Sequence, residues 1–556
     1  MTTLDEGRGD DPTPVPVPGA GSPRPGGPGA AHPSGPAHPP AHPGGPGSPA
    51  AAGPLPRVPF PTVDEVSRHC YQEQEPETIH IEVHLPGRPE PGRLRDAFHQ
   101  ALRRHPRILM RQAPSNWWRW RYEWELTDGP DLDPVSFPPP AADALAAARA
   151  RALDRCPPLE LSPPIRLEQV TTPDEPGCVL LLTINHTALD GPSCLRILAT
   201  AATLYSGREN APAPAPPPAR TASGPGPARR ASRSGSGASR SGSGASRSGS
   251  GASRSGSGAS RSGSRPTRIA ADTRTPGTPG NGMLLLDLPV PARPPHPGRG
   301  SARTGSGEGA AVRPTVNDRL LVAACLTAAR WNRLHDRPAA PVRITMPIDD
   351  RPRAAEMPIG NGTRLVEVGF GRQEQTDAEL LTAEHPDPAA VARLVHRTAE
   401  LTRALKARPT AQLGPAGTLL TAPVLPVGLR AALTRGVRRA AAPWTSTVLL
   451  SNIGRIAYPL DFGDAGRAHA VWFSAPARMP RGLTFTCAST GGRLHLTLRW
   501  SRALLDDAAG AALAEIFTRS LSASAPEPAS DQRPAAGPPP PPSPPPAPSP
   551  SPGGGS

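Results

Sequence analysis

The sequence predicts two lobes of mixed α/β (α+β) structure, joined and flanked by low-complexity tracts, and three observations carry that prediction. First, the 81 prolines and 56 glycines are clustered. Tracts 1–56, 207–281 and 522–556 are rich in Pro, Gly, Ser and Ala and offer too little apolar surface to offset the entropy of ordering, so they are expected to be disordered. Second, the remaining blocks, 57–206 and 282–521, alternate strand-like and helix-like periodicity with mostly short links, the pattern of layered α/β domains. Third, Cys178–Ile184 is apolar but for Thr183, as expected of a strand covered on both faces.

The elements follow in order. Thr78–Leu85 alternates and is β-branched, which predicts a strand. Arg93–His105 places Leu94, Ala97, Phe98, Ala101 and Leu102 at helical spacing, with Pro106 beyond the last turn. Arg119–Leu126 reads as a strand with Trp118, Trp120, Tyr122 and Trp124 on one face. Ala141–Leu153 is an Ala/Leu helix and Ile165–Thr171 a further strand. After the apolar strand, a helix starts at Pro192, a residue favoured in the first turn, and runs to about Tyr205. Inside 207–281, Ala-Ser-Arg-Ser-Gly-Ser-Gly recurs from Ala231 with a period of seven. No position in it is apolar beyond Ala, so it reads as a flexible linker and not a coiled coil. In the second block, strands are expected at Met283–Val290, Val342–Pro347, Arg364–Phe370, Thr447–Asn452, Ala470–Ser474, Leu483–Ser489 and Arg493–Trp500. Helices are expected at Val316–Leu334, Ala389–Ala407, Val427–Ala440 and Leu504–Leu521.

Charge narrows the function. The formal net charge is +14, but 207–281 alone holds twelve arginines against two acids, Glu209 and Asp272. The folding blocks are therefore close to balanced, which argues against a basic nucleic-acid face on the domain itself. Lys406 is the only lysine, so no phosphate-binding loop with its Gly-Lys-Ser/Thr step exists. The six cysteines form no Cys-x-x-Cys and read as buried small hydrophobes. The acidic, proline-bound start is unlike a signal peptide, and no apolar run of about 18 residues could span a bilayer. A cytoplasmic location is the expectation.

The chemistry points to Asn185-His186-Thr187-Ala188-Leu189-Asp190-Gly191. A buried strand ends at a histidine, the side chain best suited to accept and return a proton near neutrality. Gly191 allows a close backbone approach, and a helix N-terminus with free N–H groups follows at once. Asp190 is placed to hold the loop by pairing with a cation. The blander alternative is a satisfied histidine ahead of an ordinary helix cap.

His186-Thr187-Ala188-Leu189-Asp190-Gly191 resembles the His-x-x-x-Asp-Gly signature of the condensation-domain and CoA-dependent acyltransferase superfamily, which includes chloramphenicol acetyltransferase. Leu94–Arg111, Thr315–Asp318, Met346–Arg353 with Ile359-Gly360-Asn361, and Ser451-Asn452-Ile453-Gly454 are similar to further family stretches in the same order. The resemblance implies two chloramphenicol-acetyltransferase-like lobes forming a V-shaped pseudo-dimer, with a tunnel between them. His186, Asp190 and Gly191 are the implied catalytic set, and His186 serves as general base toward a hydroxyl or amine attacking a thioester. Arg351 is the implied structural partner of Asp190, with Arg353 in reserve. Asn185 and Asn452 are candidates to face the tunnel. No metal and no permanently bound cofactor are implied. Acyl-CoA or a phosphopantetheine thioester on an acyl carrier protein is the co-substrate, and a small alcohol or amine the acceptor. Asn185 stands where peptide-synthetase condensation domains carry their first histidine. That leaves a catalytically degenerate module that recruits carrier proteins as the alternative, and nucleic-acid binding through the Arg/Ser tract as a third reading.

Overall fold

The computed structural model describes residues 55–71, 75–209, 265–291, 312–351, 357–371, 383–408 and 412–525. The tracts expected to be disordered lie outside these residues at 1–54, 210–264 and 526–556, as does Arg353.

The chain opens with β1 (Arg57–Pro59) and α1 (Thr62–His69), then β2 (Thr78–Leu85), α2 (Pro91–Arg104), β3 (Met110–Gln112), β4 (Glu123–Leu126) and β5 (Val135–Ser136). Next come α3 (Ala144–Asp154), β6 (Ile165–Val170), β7 (Cys178–Asn185) and α4 (Gly191–Tyr205). The second half holds β8 (Asn281–Pro289), α5 (Val316–Leu334), β9 (Val342–Asp349), β10 (Thr363–Phe370) and α6 (Pro388–Ala407). It continues with α7 (Gly414–Thr421), α8 (Val427–Ala441), β11 (Val448–Arg455), β12 (Ala470–Ser474), β13 (Leu483–Thr490), β14 (Arg493–Ser501) and α9 (Asp507–Ala523).

β7 is buried at every residue because both its faces are covered, which is why its sequence runs apolar instead of alternating. It lies at the centre of a five-stranded sheet ordered β12-β2-β7-β6-β5. Its antiparallel register with β2 sets Asn185 opposite Thr78, so the strand ends where β2 begins. α2 and α4 cover one face. Leu94, Phe98, Ala101 and Leu102 of α2 are buried in the same core as Ile197 and Leu198 of α4, each large apolar side chain contributing about 1.5–3 kcal/mol. The second sheet has six strands, ordered β10-β9-β11-β13-β14-β8, and packs beneath α5 and α9.

The division into lobes is crossed in a way the sequence does not signal. β12 comes from the second half yet pairs with β2 of the first sheet, Val471 opposite Val83. The fully buried Arg499 of β14 also reaches across, donating to Thr78 O at 2.8 Å and Thr78 Oγ1 at 2.9 Å while holding Asn281 Oδ1 at 2.6 Å. A guanidinium with three buried acceptors is a strong cross-link, because losing any one of them strands a charge.

Two expectations are corrected. The linker does not extend to 281. Ile269 and Ala270 are buried in the second core, Asn332 Oδ1 accepts from Ala270 N at 2.8 Å and Trp331 Nε1 donates to Ala270 O at 2.9 Å. Two apolar residues buried against α5 outweigh the low-complexity composition around them. Replacing 210–264 by a short Gly/Ser bridge is therefore expected to leave the melting temperature unchanged. Extending the cut to 281 removes Ile269 and the start of β8 and is expected to destabilise by more than about 2 kcal/mol. Paired melting curves of the two deletions check this.

The second correction concerns the aromatic face. Only Glu123–Leu126 of the expected strand Arg119–Leu126 is β-structure. Trp124 is fully buried, whereas Trp118 and Trp120 are 60% and 56% exposed. The segment before Glu123 instead makes turns whose carbonyls are taken by α8, with Val427 N donating to Arg119 O at 2.7 Å and Gly428 N to Trp117 O at 3.1 Å. Among the described residues, no helix is long and apolar enough to cross a membrane.

Candidate active site

The end of β7 delivers His186 to the wall of a cavity of about 460 Å³, lined also by Ile79, Asp190, Gly191, Asn452 and Phe473. A second and larger cavity of about 1140 Å³ shares Pro347, Asp349 and Asn452 with it. These three residues, supplied by β9 and β11, border both spaces. β11 is bulged directly after Asn452, between it and Gly454. Asn452 Oδ1 caps Gly454 N at 2.8 Å, and its amide lies 3.4 Å from Asn317 Oδ1.

The histidine is oriented from behind. His186 N donates to Glu77 O at 2.7 Å, and Nδ1 lies 3.0 Å from Leu189 O. A carbonyl can only accept, so Nδ1 carries the proton in the neutral ring and Nε2 keeps its lone pair. Nε2 has no hydrogen-bond partner among the described residues. The ring is thus held as the tautomer that can receive a proton from a ligand in the cavity.

Asp190 is fully committed elsewhere. As N-cap of α4 it accepts from Ser193 N at 3.1 Å through Oδ1. Its Oδ2 accepts from Arg351 Nη2 at 2.7 Å and Gly362 N at 2.8 Å. Arg351 in turn holds Asp349 Oδ1 at 2.8 Å and Gly360 O at 3.0 Å. Burial disfavours the Arg351 guanidinium, but Asp190 and Asp349 outweigh it and its pKa is raised. Glycine is required twice on this turn. Gly360 sits at φ +140, and a Cβ on Gly362 would lie 2.4 Å from Arg351 Nε.

No family model matches the chain. Uncharacterised proteins of Mycobacterium tuberculosis strains H37Rv and CDC 1551 are each 28% identical to it over 409 residues, 72% of this chain and 84% of theirs. Among solved structures, the trichothecene 15-O-acetyltransferase TRI3 of Fusarium sporotrichioides superposes with a TM-score of 0.53 at 11% identity, covering 86% of this chain and 96% of that one. The condensation domain of the monacolin K polyketide synthase MokA gives 0.52 at 12% identity, over 84% and 97%. The first condensation domain of the calcium-dependent antibiotic synthetase gives 0.51 at 15%, over 84% and 96%.

The chain has the condensation-domain fold.

Within that fold the sequence-derived candidates separate. His186, Asp190, Gly191 and Asn452 line the His186 cavity. Arg351 lies behind it on Asp190. Asn185 lines neither cavity: its Nδ2 donates to Pro157 O at 3.0 Å and its Oδ1 accepts from Thr187 N at 3.0 Å, so the expectation that it faces the tunnel is corrected. Paired at both ends and buried, the side chain clamps the turn that carries His186. A Cβ on Gly191 would meet Phe473 at an ordinary 3.5 Å, so the close approach there is to Phe473.

Two further residues hold the loop that carries His186: Asn361, met in the sequence only within the Ile359-Gly360-Asn361 match, and Asp64, which the sequence reading missed. Asn361 Nδ2 donates to Thr187 O at 2.9 Å and lies 3.3 Å from His186 O, and it also reaches Asp64 Oδ1 at 2.9 Å. Asp64 is completely buried on α1, where Trp124 Nε1 donates to it at 2.9 Å and Arg107 lies at 3.4 Å. Burial pushes its carboxyl up to about 6 against the pull of Arg107, Asn361 and Trp124. A carboxylate buried on a short helix carries no periodic signal. Only the Ile359-Gly360-Asn361 match pointed near it. Asn361→Ala leaves two loop carbonyls and one Asp64 oxygen short of a donor, and is expected to cost about 1–3 kcal/mol of stability. It should lower turnover by more than the loss of folded protein explains, which assays normalised by circular dichroism would show.

Proposed function

We propose that the protein is an acyltransferase that moves an acyl group from a thioester to a hydroxyl or amine, with His186 as general base. The single observation that carries this reading is the oriented imidazole. Nδ1 is fixed on the Leu189 carbonyl and Nε2 is left for a ligand in the cavity. In the reaction, Nε2 accepts the proton of the acceptor O–H or N–H as its heteroatom bonds to the thioester carbonyl carbon. The C–S bond then breaks, and the proton returns to the departing thiolate, so no redox partner enters. General acid–base assistance of this kind contributes about 10²–10⁴ in rate. Asp190, Arg351 and Asn361 hold the loop and take no proton.

The condensation domains and the acetyltransferase that share the fold support this class of chemistry. The two cavities meeting at Pro347, Asp349 and Asn452 support a donor entering from one side and an acceptor from the other. Acyl-CoA or an acyl carrier protein is the donor on this reading, and biosynthesis of a lipid or secondary metabolite its setting. The test is thiol release from acyl-CoA, followed with a thiol reagent. Release that rises with added alcohol or amine supports the reading. Release that ignores every acceptor would point to thioester hydrolysis, and none at all would favour a recruiting module.

A further inference from the structure

The charged and apolar side chains that the described residues leave exposed are not evenly spread. Of the fifteen large hydrophobic residues standing in solvent, ten fall in two segments: three tryptophans at 117–120, and seven residues between Leu419 and Trp444. Trp117 and Trp118 stack with ring centroids 3.9 Å apart. Leu429, Leu433 and Val437 of α8 are about half exposed. At a spacing of four they form one stripe along the helix. The two segments adjoin: besides the bonds from Val427 and Gly428, Arg430 Nη2 donates to Trp120 O at 2.6 Å, and Trp117 packs on the Gly428 side of α8, across the helix from the leucine/valine stripe. Neither 113–122 nor 412–446 contains a single Asp or Glu, yet Arg121, Arg435 and Arg439 stand exposed among the apolar residues.

We infer that this face docks the protein on an anionic lipid surface. Tryptophans take the boundary between headgroup and hydrocarbon, a leucine/valine stripe enters the acyl layer, and an arginine-rich rim, with Glu123 paired to Arg119 at its edge, complements anionic headgroups. An added peptide strand fits less well. The backbone of the tryptophan loop is already bonded to α8, so it offers no free edge for a peptide strand. The segment also borders the candidate active site, because Arg438 and Thr445 line the His186 cavity. Docking here would bring a lipid-borne acyl chain to the cavity without passage through water. The inference goes beyond the acyltransfer reading and does not depend on it, since binding is read without turnover.

The test is flotation of the full-length chain with vesicles of phosphatidylcholine alone or mixed with phosphatidylglycerol. The expected result is flotation with the mixed vesicles that weakens as salt is raised. Two variants are compared: Trp118→Ser with Leu433→Ser and Val437→Ser, and Arg435→Glu with Arg439→Glu. The second alters only exposed arginines, so its fold is not at risk. Each is expected to weaken binding by more than about tenfold, with circular dichroism confirming that the protein remains folded. The inference is overturned if the parent floats with neither vesicle, or if the folded arginine variant floats like the parent. It is equally overturned if gel filtration shows a dimer that the serine variant dissociates, since a second copy would then own the face.

Discussion

His186→Ala is expected to keep the fold and the melting temperature and to lower turnover by about 10²–10⁴. The fold is preserved because the ring packs at a cavity wall and makes one side-chain hydrogen bond, to Leu189 O. The peptide of residue 186 stays anchored through its own N–H on Glu77 O. Residual activity should persist, because the bound acceptor is still placed beside the thioester when the proton acceptor is gone. Binding of the donor should change little, so the loss falls on kcat and not on KM. A folded His186→Ala protein with full activity would remove the base from the account.

Asp190→Ala is expected to act differently, lowering stability together with activity. The pair with Arg351 is nearly closed to solvent, with side chains 3% and 13% exposed. Breaking a buried pair from one side costs up to about 3–5 kcal/mol; Arg351 keeps Asp349 as a counter-ion, so the loss is expected at the lower end. Three donors lose their acceptor at once: Ser193 N, Arg351 Nη2 and Gly362 N. A thermal-melt cycle of the parent, Asp190→Ala, Arg351→Met and the double variant measures the coupling of the pair, with Arg351→Met also taking the guanidinium from Asp349. If Asp190→Ala melts like the parent while activity collapses, Asp190 takes part in the chemistry and not in holding the loop.

Both variants concern the stretch that the sequence makes most legible. A largely apolar β7 running into His186 and a capped α4 is a local event. Periodicity marks the strand, Pro192 marks the helix start, and the motif lies between them. The same holds for β13, β14 and α9, whose patterns follow directly from the face they bury. What stayed hidden is what depends on long-range contact. Nothing local in Ala470–Ser474 says that it will cross to pair with β2. Asp64 and Asn361 become part of the site only when α1 and the turn after β9 meet behind the loop. Trp118 and Trp120 alternate as a strand would, yet the carbonyls of Trp117, Arg119 and Trp120 are taken by α8 and the rings stay outside. Ile269 and Ala270 sit in Arg-rich low-complexity sequence and are ordered by burial against Trp331 and Asn332.

On the proposed reading, His186 takes the acceptor's proton as an acyl group passes from a thioester to that oxygen or nitrogen. The measurement that tests it most directly is incubation of the purified full-length chain with mixed acyl-CoAs and a panel of alcohols and amines, read by mass spectrometry beside His186→Ala. A new acyl ester or amide is expected with the parent, formed at least about a hundredfold more slowly by the variant. Acyl product formed equally fast by both proteins, or none formed by the parent with any donor and acceptor, would contradict it.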